Sequence, residues 1–212
     1  MLFDLDGVLV DSRAVVERTW RRWAAERHPI DVDKLLHIAH GRRARDTLRI
    51  MAPSLANDEE VAWLDATELV DVEGLRVIPG ARELLTTLPR ERWAIVTSCG
   101  RNLARLRLSS VGLAPPDIMV VAEDATAGKP APDGYLLGAE RLGVAPDECI
   151  VFEDAPAGVA AGKAAGARVI AVRTNYDPAH LAEADVTIAD LRSIQVRLEA
   201  GAMVARIFDH HE

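Results

Sequence analysis

Residues 4–12 read DLDGVLVDS, and this stretch organises the rest of the chain. The apolar residues on either side of Asp4 predict a buried strand that runs out into a loop carrying Asp4 and Asp6. Gly7 permits a turn there, because glycine adopts backbone angles that other residues avoid. Clustered carboxylates repel one another unless they share a proton or a cation, and such hard oxygen ligands suit Mg²⁺. The stretch therefore predicts an active-site loop, and the alternative is a polar turn with solvated acids.

Composition narrows the class of protein. At 212 residues the chain has room for one core and a small accessory domain, and 49% hydrophobic residues are enough to bury that core. With 33 acidic and 25 basic residues the net charge is -8, which argues against a nucleic-acid partner. The sequence lacks the apolar run of roughly 20 residues that a spanning helix needs, and it lacks a leader-like start. We therefore expect a cytoplasmic monomer without a membrane partner, and buried thiols at Cys99 and Cys149.

After Ser12 the spacing of apolar residues becomes that of a helix. The pattern predicts a first helix that ends before Pro29 and further helices over about 30–38, 48–53 and 61–70, the last with a cap at Asn57 or Asp58. The segment 13–73 is thus predicted to be a small all-α domain inserted after the first strand.

From residue 74 onward, short apolar strands alternate with helices. The predicted strands are 93–97, 118–121, 149–152, 168–172 and 186–188, and the helices between them are about 80–88, 101–111, 132–142 and 156–165. Near-continuous apolar strands in this alternation are typical of a parallel sheet covered on both faces. We predict an α/β fold with a three-layer Rossmann-like core formed by 1–12 and 74–212.

The two ends of the chain allow fewer predictions. The first strand has only three residues before Asp4, so either it is short or the native start lies upstream of Met1. His210 and His211 at the other end are predicted to be a frayed tail.

Polar residues follow the predicted strands at the edge where ligands bind in sheets of this kind. Thr97 and Ser98 precede a helix, whose N-terminal amides favour a phosphate, although either hydroxyl could simply cap that helix. Lys129, between glycine and proline, is a fixed positive charge suited to a phosphoryl oxygen, and the alternative is a solvated lysine. Glu153 and Asp154 end an apolar strand, where burial is costly unless a cation meets them.

Four segments together resemble a known family. DLDGVLVDS at 4–12, TSCG at 97–100, GKP at 128–130 and ED at 153–154 are similar, in order and spacing, to the four motifs of the haloacid dehalogenase-like hydrolase superfamily. Most members of that superfamily are phosphatases, and the resemblance extends over essentially the whole chain.

The resemblance implies a role for each motif residue. Asp4 corresponds to the nucleophile that forms an aspartyl-phosphate, and Asp6 to the general acid and base. Thr97, Ser98 and Lys129 correspond to the groups that hold the transferring phosphoryl oxygens. Dehalogenases of the superfamily lack the second aspartate of the first motif, because a halide leaves without a proton. Asp6 therefore favours phosphate chemistry.

The resemblance also implies the cofactor. Mg²⁺ would be held by the Asp4 carboxylate, the backbone carbonyl of Asp6 and the Asp154 carboxylate. Glu153 would support these ligands or act through a water. The expected partner is a small phosphorylated metabolite, a sugar or polyol phosphate.

The helical insert resembles the mobile cap of this superfamily, which closes over the site and selects the leaving group. Its segment HGRRARDTL at 40–48 resembles the specificity loop of the sugar-phosphate and glycerol-phosphate phosphatase branch, although a solvated basic helix start would look similar. The residues predicted to contact the rest of the substrate are Trp20, His40, Arg42, Arg43 and Asp46.

Three alternative functions remain open at this point. A β-phosphoglucomutase-like enzyme shares the motif residues, but such mutases carry a Ser-Lys pair where this chain has Cys99-Gly100 and a histidine where it has Val16. A phosphatase for glycolate or triose phosphates is the second alternative. The third is a protein that binds a phosphometabolite without catalysis.

Overall fold

The computed structural model describes residues 1–199 and 202–208. Elements are numbered in chain order, and six parallel strands form the central sheet in the order β5-β4-β1-β6-β7-β8. These strands are β1 (Leu2–Phe3), β4 (Ala94–Val96), β5 (Met119–Val120), β6 (Ile150–Glu153), β7 (Arg168–Val172) and β8 (Val186–Ile188). The α/β prediction with a parallel sheet is confirmed. The strands predicted over 168–172 and 186–188 have the predicted bounds, those over 93–97 and 118–121 are shorter, and that over 149–152 is shifted by one residue.

Helices cover both faces of the sheet. They are α5 (Ala81–Thr87), α6 (Arg101–Ser110), α7 (Asp133–Leu142) and α8 (Pro156–Ala164). Neighbouring strand residues point to opposite faces, so Phe3 packs in one hydrophobic cluster with α5 and α6, whereas Leu2 packs in a second cluster with α7 and α8. Phe3 stacks on Phe152 of the adjacent strand with ring centroids 4.5 Å apart. The result is the predicted three-layer core.

The chain leaves this core after β1 and forms the helical insert. Its helices are α1 (Arg13–Glu26), α2 (Val32–Ala39), α3 (Ala44–Met51) and α4 (Asp58–Glu68). They bury a hydrophobic cluster of their own around Trp23 and Leu35. Buried Glu60 accepts a hydrogen bond from the Trp23 indole at 2.6 Å and pairs with Arg27 at 2.9 Å. Two short antiparallel strands, β2 (Val10–Asp11) and β3 (Arg76–Val77), pair where the chain enters and leaves the insert.

A hairpin near the end of the chain was absent from the sequence prediction. Strands β9 (Ile194–Glu199) and β10 (Ala202–Ile207) pair antiparallel, and Ile194, Val196 and Met203 pack against the cluster on the Phe3 face. The predicted tail at His210 and His211 lies outside the described residues. Within the described residues, no helix combines the length and the apolar character needed to cross a bilayer.

Candidate active site

The first motif turns sharply at the carboxyl end of β1. The Asp4 amide donates to Phe152 O at 2.9 Å, which holds the chain beside β6 up to the first carboxylate. Gly7 then has a φ of +78°, and a Cβ at this position would overlap the Asp154 carboxylate. The prediction that glycine allows this loop to bend beside the site is confirmed. The turn leaves Asp4 only 2% exposed and brings it close to Asp154.

Three buried carboxylates and one lysine meet beyond the strand ends. Asp4, Glu153 and Asp154 each offer an oxygen atom, and these oxygens lie within 4.8 Å of one another. Lys129 Nζ lies 3.0 Å from Asp4 Oδ1 and 2.5 Å from Glu153 Oε1. One ammonium cannot neutralise three ionised carboxylates, so the cluster has a negative excess in a buried place. A further cation or a proton must compensate for it.

Glu153 is fully occupied by hydrogen bonds. Its Oε1 accepts from Tyr135 Oη at 2.6 Å as well as from Lys129, and its Oε2 accepts from the backbone amides of Asp154 at 3.0 Å and Ala155 at 3.4 Å. A side chain at Gly158 would overlap this carboxylate. The first turn of α8 can therefore lie against Glu153 only with glycine at position 158. This arrangement fits the supporting role predicted for Glu153.

Asp4 and Asp154 have fewer partners than Glu153. Asp154 Oδ1 is fully buried and accepts no hydrogen bond from any described residue, whereas the buried Asp4 Oδ1 has the Lys129 ammonium 3.0 Å away as its ion-pair partner. The other Asp154 oxygen, Oδ2, accepts from Asn175 Nδ2 at 2.6 Å. Buried lone pairs on two adjacent carboxylates are what a hard divalent cation requires. The donor set therefore fits a metal ion between Asp4 and Asp154.

The pKa values of the cluster reflect the same imbalance. Burial, with the nearby carboxylates of Glu153 and Asp6, raises the pKa of Asp4 to about 7 despite the attraction of Lys129. Burial and the Glu153 charge likewise raise the pKa of Asp154 well above its usual range. Burial alone would lower the pKa of Lys129, but Asp4 and Glu153 outweigh it and the pKa rises. Lys129 therefore stays charged, whereas a nearby cation would favour the ionised forms of Asp4 and Asp154.

The second motif lies between β4 and α6. Thr97 is buried, and its hydroxyl oxygen accepts from the Cys99 amide at 3.2 Å. The Ser98 hydroxyl donates to Gly41 O at 2.9 Å, which joins this loop to the helical insert. Cys149 is buried as predicted, whereas Cys99 is half-buried, so the prediction of a buried residue is wrong for Cys99. Desolvation of its thiol, and next the Asp6 charge, raises the pKa of Cys99, which disfavours the thiolate.

A cavity of about 450 Å³ lies between the sheet edge and the helical insert. From the core it is lined by Asp4, Asp6, Thr97, Ser98 and Asp154. Lys129 is not among its lining residues, but the Lys129 ammonium lies 3.0 Å from the Asp4 carboxylate, which does line the cavity. From the insert the lining includes all five predicted specificity residues, namely Trp20, His40, Arg42, Arg43 and Asp46.

Comparison with known proteins shows the family of this chain. The family model for the haloacid dehalogenase-like hydrolases matches residues 1–166. The chain belongs to the haloacid dehalogenase-like hydrolases. It is 46% identical over 200 residues to hexitol phosphatase A of Escherichia coli strain K12, with 92% of each chain covered. It is 36% identical over 208 residues to glycerol-1-phosphate phosphohydrolase 2 of Saccharomyces cerevisiae, covering 92% of this chain and 83% of that one.

A solved structure agrees with this assignment. The hydrolase superposes on the crystal structure of a hydrolase from Pseudomonas syringae with a TM-score of 0.79 and 30% sequence identity. The match covers 90% of this chain and 93% of the other. The sequence prediction of the family is therefore confirmed.

The predicted specificity residues of this hydrolase differ in how strongly they are already engaged. Arg43 donates to the carbonyls of Ala125 at 2.9 Å and Ala127 at 3.2 Å, so it fastens α3 to the core loop before Lys129. Arg42 makes one long contact, from Nη1 to Lys129 O at 3.3 Å. Asp46 Oδ1 accepts from Arg49 at 2.9 Å, and Trp20 is buried edge-on against Trp23.

His40 has a defined tautomer in this arrangement. Its Nδ1 donates to Leu36 O at 2.9 Å, because a carbonyl can only accept. Burial lowers the pKa of the ring and thus favours its neutral form. Its buried Nε2 is then an acceptor, and it finds no partner among the described residues.

Sequence reasoning missed several residues at the site. Arg107 on α6 donates to Asp6 Oδ2 at 2.5 Å, Tyr135 on α7 binds Glu153, and Asn175 binds Asp154 from the loop after β7. Asn175 could have been predicted from the rule that ligands bind beyond the carboxyl ends of parallel strands, because β7 ends at Val172 at the same edge of the sheet. Arg107 lies on the apolar face of α6. A charged residue on the buried face of a helix indicates that it is paired with an opposite charge.

Proposed function

We propose that this hydrolase is a Mg²⁺-dependent phosphatase that hydrolyses a small sugar or polyol phosphate through an aspartyl-phosphate on Asp4. The observation that carries the proposal is the buried Asp154 Oδ1, which lacks a hydrogen bond from the described residues and lies next to Asp4 beside a cavity large enough for a small metabolite. The names of the two curated relatives, a hexitol phosphatase and a glycerol-1-phosphate phosphohydrolase, support the substrate class.

The residues of the acidic cluster would have two roles, metal binding and the positioning of Lys129. Asp4, the Asp6 backbone carbonyl and Asp154 would hold Mg²⁺, which offsets the negative charge of the cluster and of a bound phosphate. Asn175 fixes the Asp154 carboxylate by a hydrogen bond at 2.6 Å. Glu153 keeps the Lys129 ammonium beside Asp4, where it can attract a phosphoryl oxygen.

Two displacements at phosphorus complete the reaction. In the first, an Asp4 carboxylate oxygen forms a bond to phosphorus, the bond to the leaving oxygen breaks, and that oxygen takes a proton from Asp6. In the second, a water oxygen attacks phosphorus and gives its proton to Asp6, and the bond to Asp4 breaks to release orthophosphate. Thr97, Ser98 and Lys129 would hold the phosphoryl oxygens through both steps.

The helical insert, residues 13–73, would act as the cap that binds the rest of the substrate. The neutral His40 ring offers Nε2 as a buried acceptor at the wall of the cavity, and a substrate hydroxyl is the group that would donate to it. Arg42 is held less firmly than Arg43 and is therefore better placed to turn towards a ligand. These contacts favour a hydroxyl-rich metabolite as the substrate.

The decisive experiment is an assay of phosphate release from a panel of phosphates, with Mg²⁺ and with EDTA. The panel includes hexitol, glycerol, hexose, triose and glycolate phosphates. We expect release from hexitol or glycerol phosphates, loss with EDTA, and loss in Asp4→Asn. Asp11→Asn, the same chemical change in the same sequence motif but on β2, is the matched control and should stay active.

Other outcomes identify the alternatives. A mutase would interconvert sugar phosphates in preference to liberating orthophosphate, which ³¹P NMR would detect. A folded protein that releases no phosphate from any member of the panel would contradict the proposal.

A further inference from the structure

A buried arginine joins the proposed acid and base to the helical insert. Arg107 is 3% exposed, and its Nη1 donates to Asp6 Oδ2 at 2.5 Å. Its Nη2 donates to Glu68 Oε2 at the last residue of α4. The arginine comes from the core, whereas Glu68 comes from the insert. One guanidinium therefore links carboxylates of the two parts.

Arg107 occupies a buried position where a charged side chain has a desolvation cost. It lies between Leu103, Ala104 and Leu108 on the buried face of α6, where an apolar side chain would pack without desolvating a charge. A buried ion pair often contributes no more stability than apolar residues of the same volume. What a guanidinium adds is direction, because its planar fork fixes the orientation of the carboxylates it binds.

The Asp6 carboxylate is held at both oxygens. Ser12 Oγ donates to Oδ1 at 2.6 Å, and Arg107 donates to Oδ2. The Ser12 contact belongs to the same loop, but the Arg107 contact depends on a side chain that Glu68 holds from the opposite side. Asp6, Arg107 and Glu68 all line the cavity that would receive the substrate.

We propose that Arg107 is the positioning residue for Asp6 and that Glu68 completes it from the insert. This inference rests on the proposed function, in which Asp6 protonates the leaving oxygen. The insert then does more than bind the organic part of the substrate. Glu68 on α4 contacts the same guanidinium that contacts Asp6, so the insert also helps to orient the proton donor.

The experiment compares two leaving groups. Glycerol phosphate must release an alkoxide, which needs a proton from Asp6. p-Nitrophenyl phosphate releases a stable phenolate, which needs little protonation. kcat/KM reports the steps up to cleavage of the leaving-group bond, so a misplaced Asp6 lowers kcat/KM for the first substrate selectively. A general loss of structure would lower it for both.

The variants are Arg107→Met, Arg107→Lys and Glu68→Gln. Arg101→Met is the matched control, because it removes a half-buried arginine of the same helix whose Nη2 donates to both carboxylate oxygens of Asp124. We expect Arg107→Met to lower kcat/KM for glycerol phosphate by ~100-fold and for p-nitrophenyl phosphate by less than ~5-fold, given the usual worth of a general acid. Arg107→Lys should restore part of the loss, and Glu68→Gln should lose ~10-fold with the same selectivity.

The outcomes are separable. Equal losses for the two substrates, or no loss, would overturn the role of Arg107 while leaving the phosphatase proposal intact. A wild-type protein inactive on glycerol phosphate and on every other phosphate would sink both proposals. If Arg107→Met does not fold, the selectivity of Glu68→Gln decides, and an unselective Glu68→Gln counts against the inference.

Discussion

Replacing Glu153 by glutamine should destabilise this hydrolase strongly although the side chain keeps its size. Glu153 is fully buried and accepts hydrogen bonds from Lys129, from Tyr135 and from two backbone amides. A glutamine has one oxygen and one NH₂ group in place of two oxygens. Whichever way the amide turns, its NH₂ group faces donors, and Lys129 loses a charged partner.

The size of the destabilisation depends on the partners that Lys129 keeps in Glu153→Gln. Removing one partner of a buried ion pair usually costs about 3–5 kcal/mol. Lys129 still has Asp4 at 3.0 Å, and the loss of the Glu153 charge also relieves its repulsion with Asp4 and Asp154. We therefore place the loss at the lower end, about 3 kcal/mol of the free energy of unfolding. That is a large share of the roughly 5–15 kcal/mol that holds a typical domain folded. With an m-value of about 2 kcal/mol/M it moves the urea midpoint down by about 1.5 M.

The assay is urea unfolding at pH 7 without Mg²⁺, followed by tryptophan fluorescence. Glu140→Gln, the same change at an exposed position of α7, is the control and should alter the free energy of unfolding by less than about 0.5 kcal/mol. A loss below about 1 kcal/mol in Glu153→Gln would refute the reasoning, because the lysine would then not depend on this carboxylate.

Further predictions concern the same site and the insert. Gly158→Ala should cost about 1–3 kcal/mol in the same urea assay, because the added methyl group overlaps the carboxylate that holds the lysine; an unchanged midpoint would contradict this. The Arg27 guanidinium lowers the pKa of Glu60 from 4.5 to about 2, so its contribution to stability is present above about pH 4.5 and is lost as the pH falls towards 2. Acid titration of the unfolding free energy should show that loss in the wild type and a smaller one in Glu60→Gln. Mg²⁺ should raise the Tm of the wild type in a thermal shift assay but not that of Asp154→Asn, and an equal rise in both would remove Asp154 from the metal site. His40→Phe should lower kcat/KM for a hexitol phosphate by ~10-fold with little change for p-nitrophenyl phosphate, and parallel losses would argue against a hydroxyl contact.

Local patterns were sufficient for most of the fold. The helix predicted over 101–111 is Arg101–Ser110, and the one predicted over 156–165 is Pro156–Ala164. Such agreement is expected where apolar spacing and the nearby glycines and prolines indicate the same element. The terminal hairpin was not predicted, although apolar residues alternate along Ile194, Val196 and Leu198 as they do in a half-exposed strand.

The family and the α/β class could be predicted from the sequence, because they depend on residue type at fixed spacing and on the rule that parallel strands end at one edge of a sheet. The contacts of the motif residues depend on the tertiary structure: both oxygens of Glu153 accept hydrogen bonds, whereas Asp154 Oδ1 accepts none from the described residues and Asp4 Oδ1 is paired with Lys129. The tertiary structure also brought Arg107 to Asp6 across 101 positions of the chain. The physical reason is that pairing and burial depend on distances between side chains remote in the sequence, which no local pattern encodes.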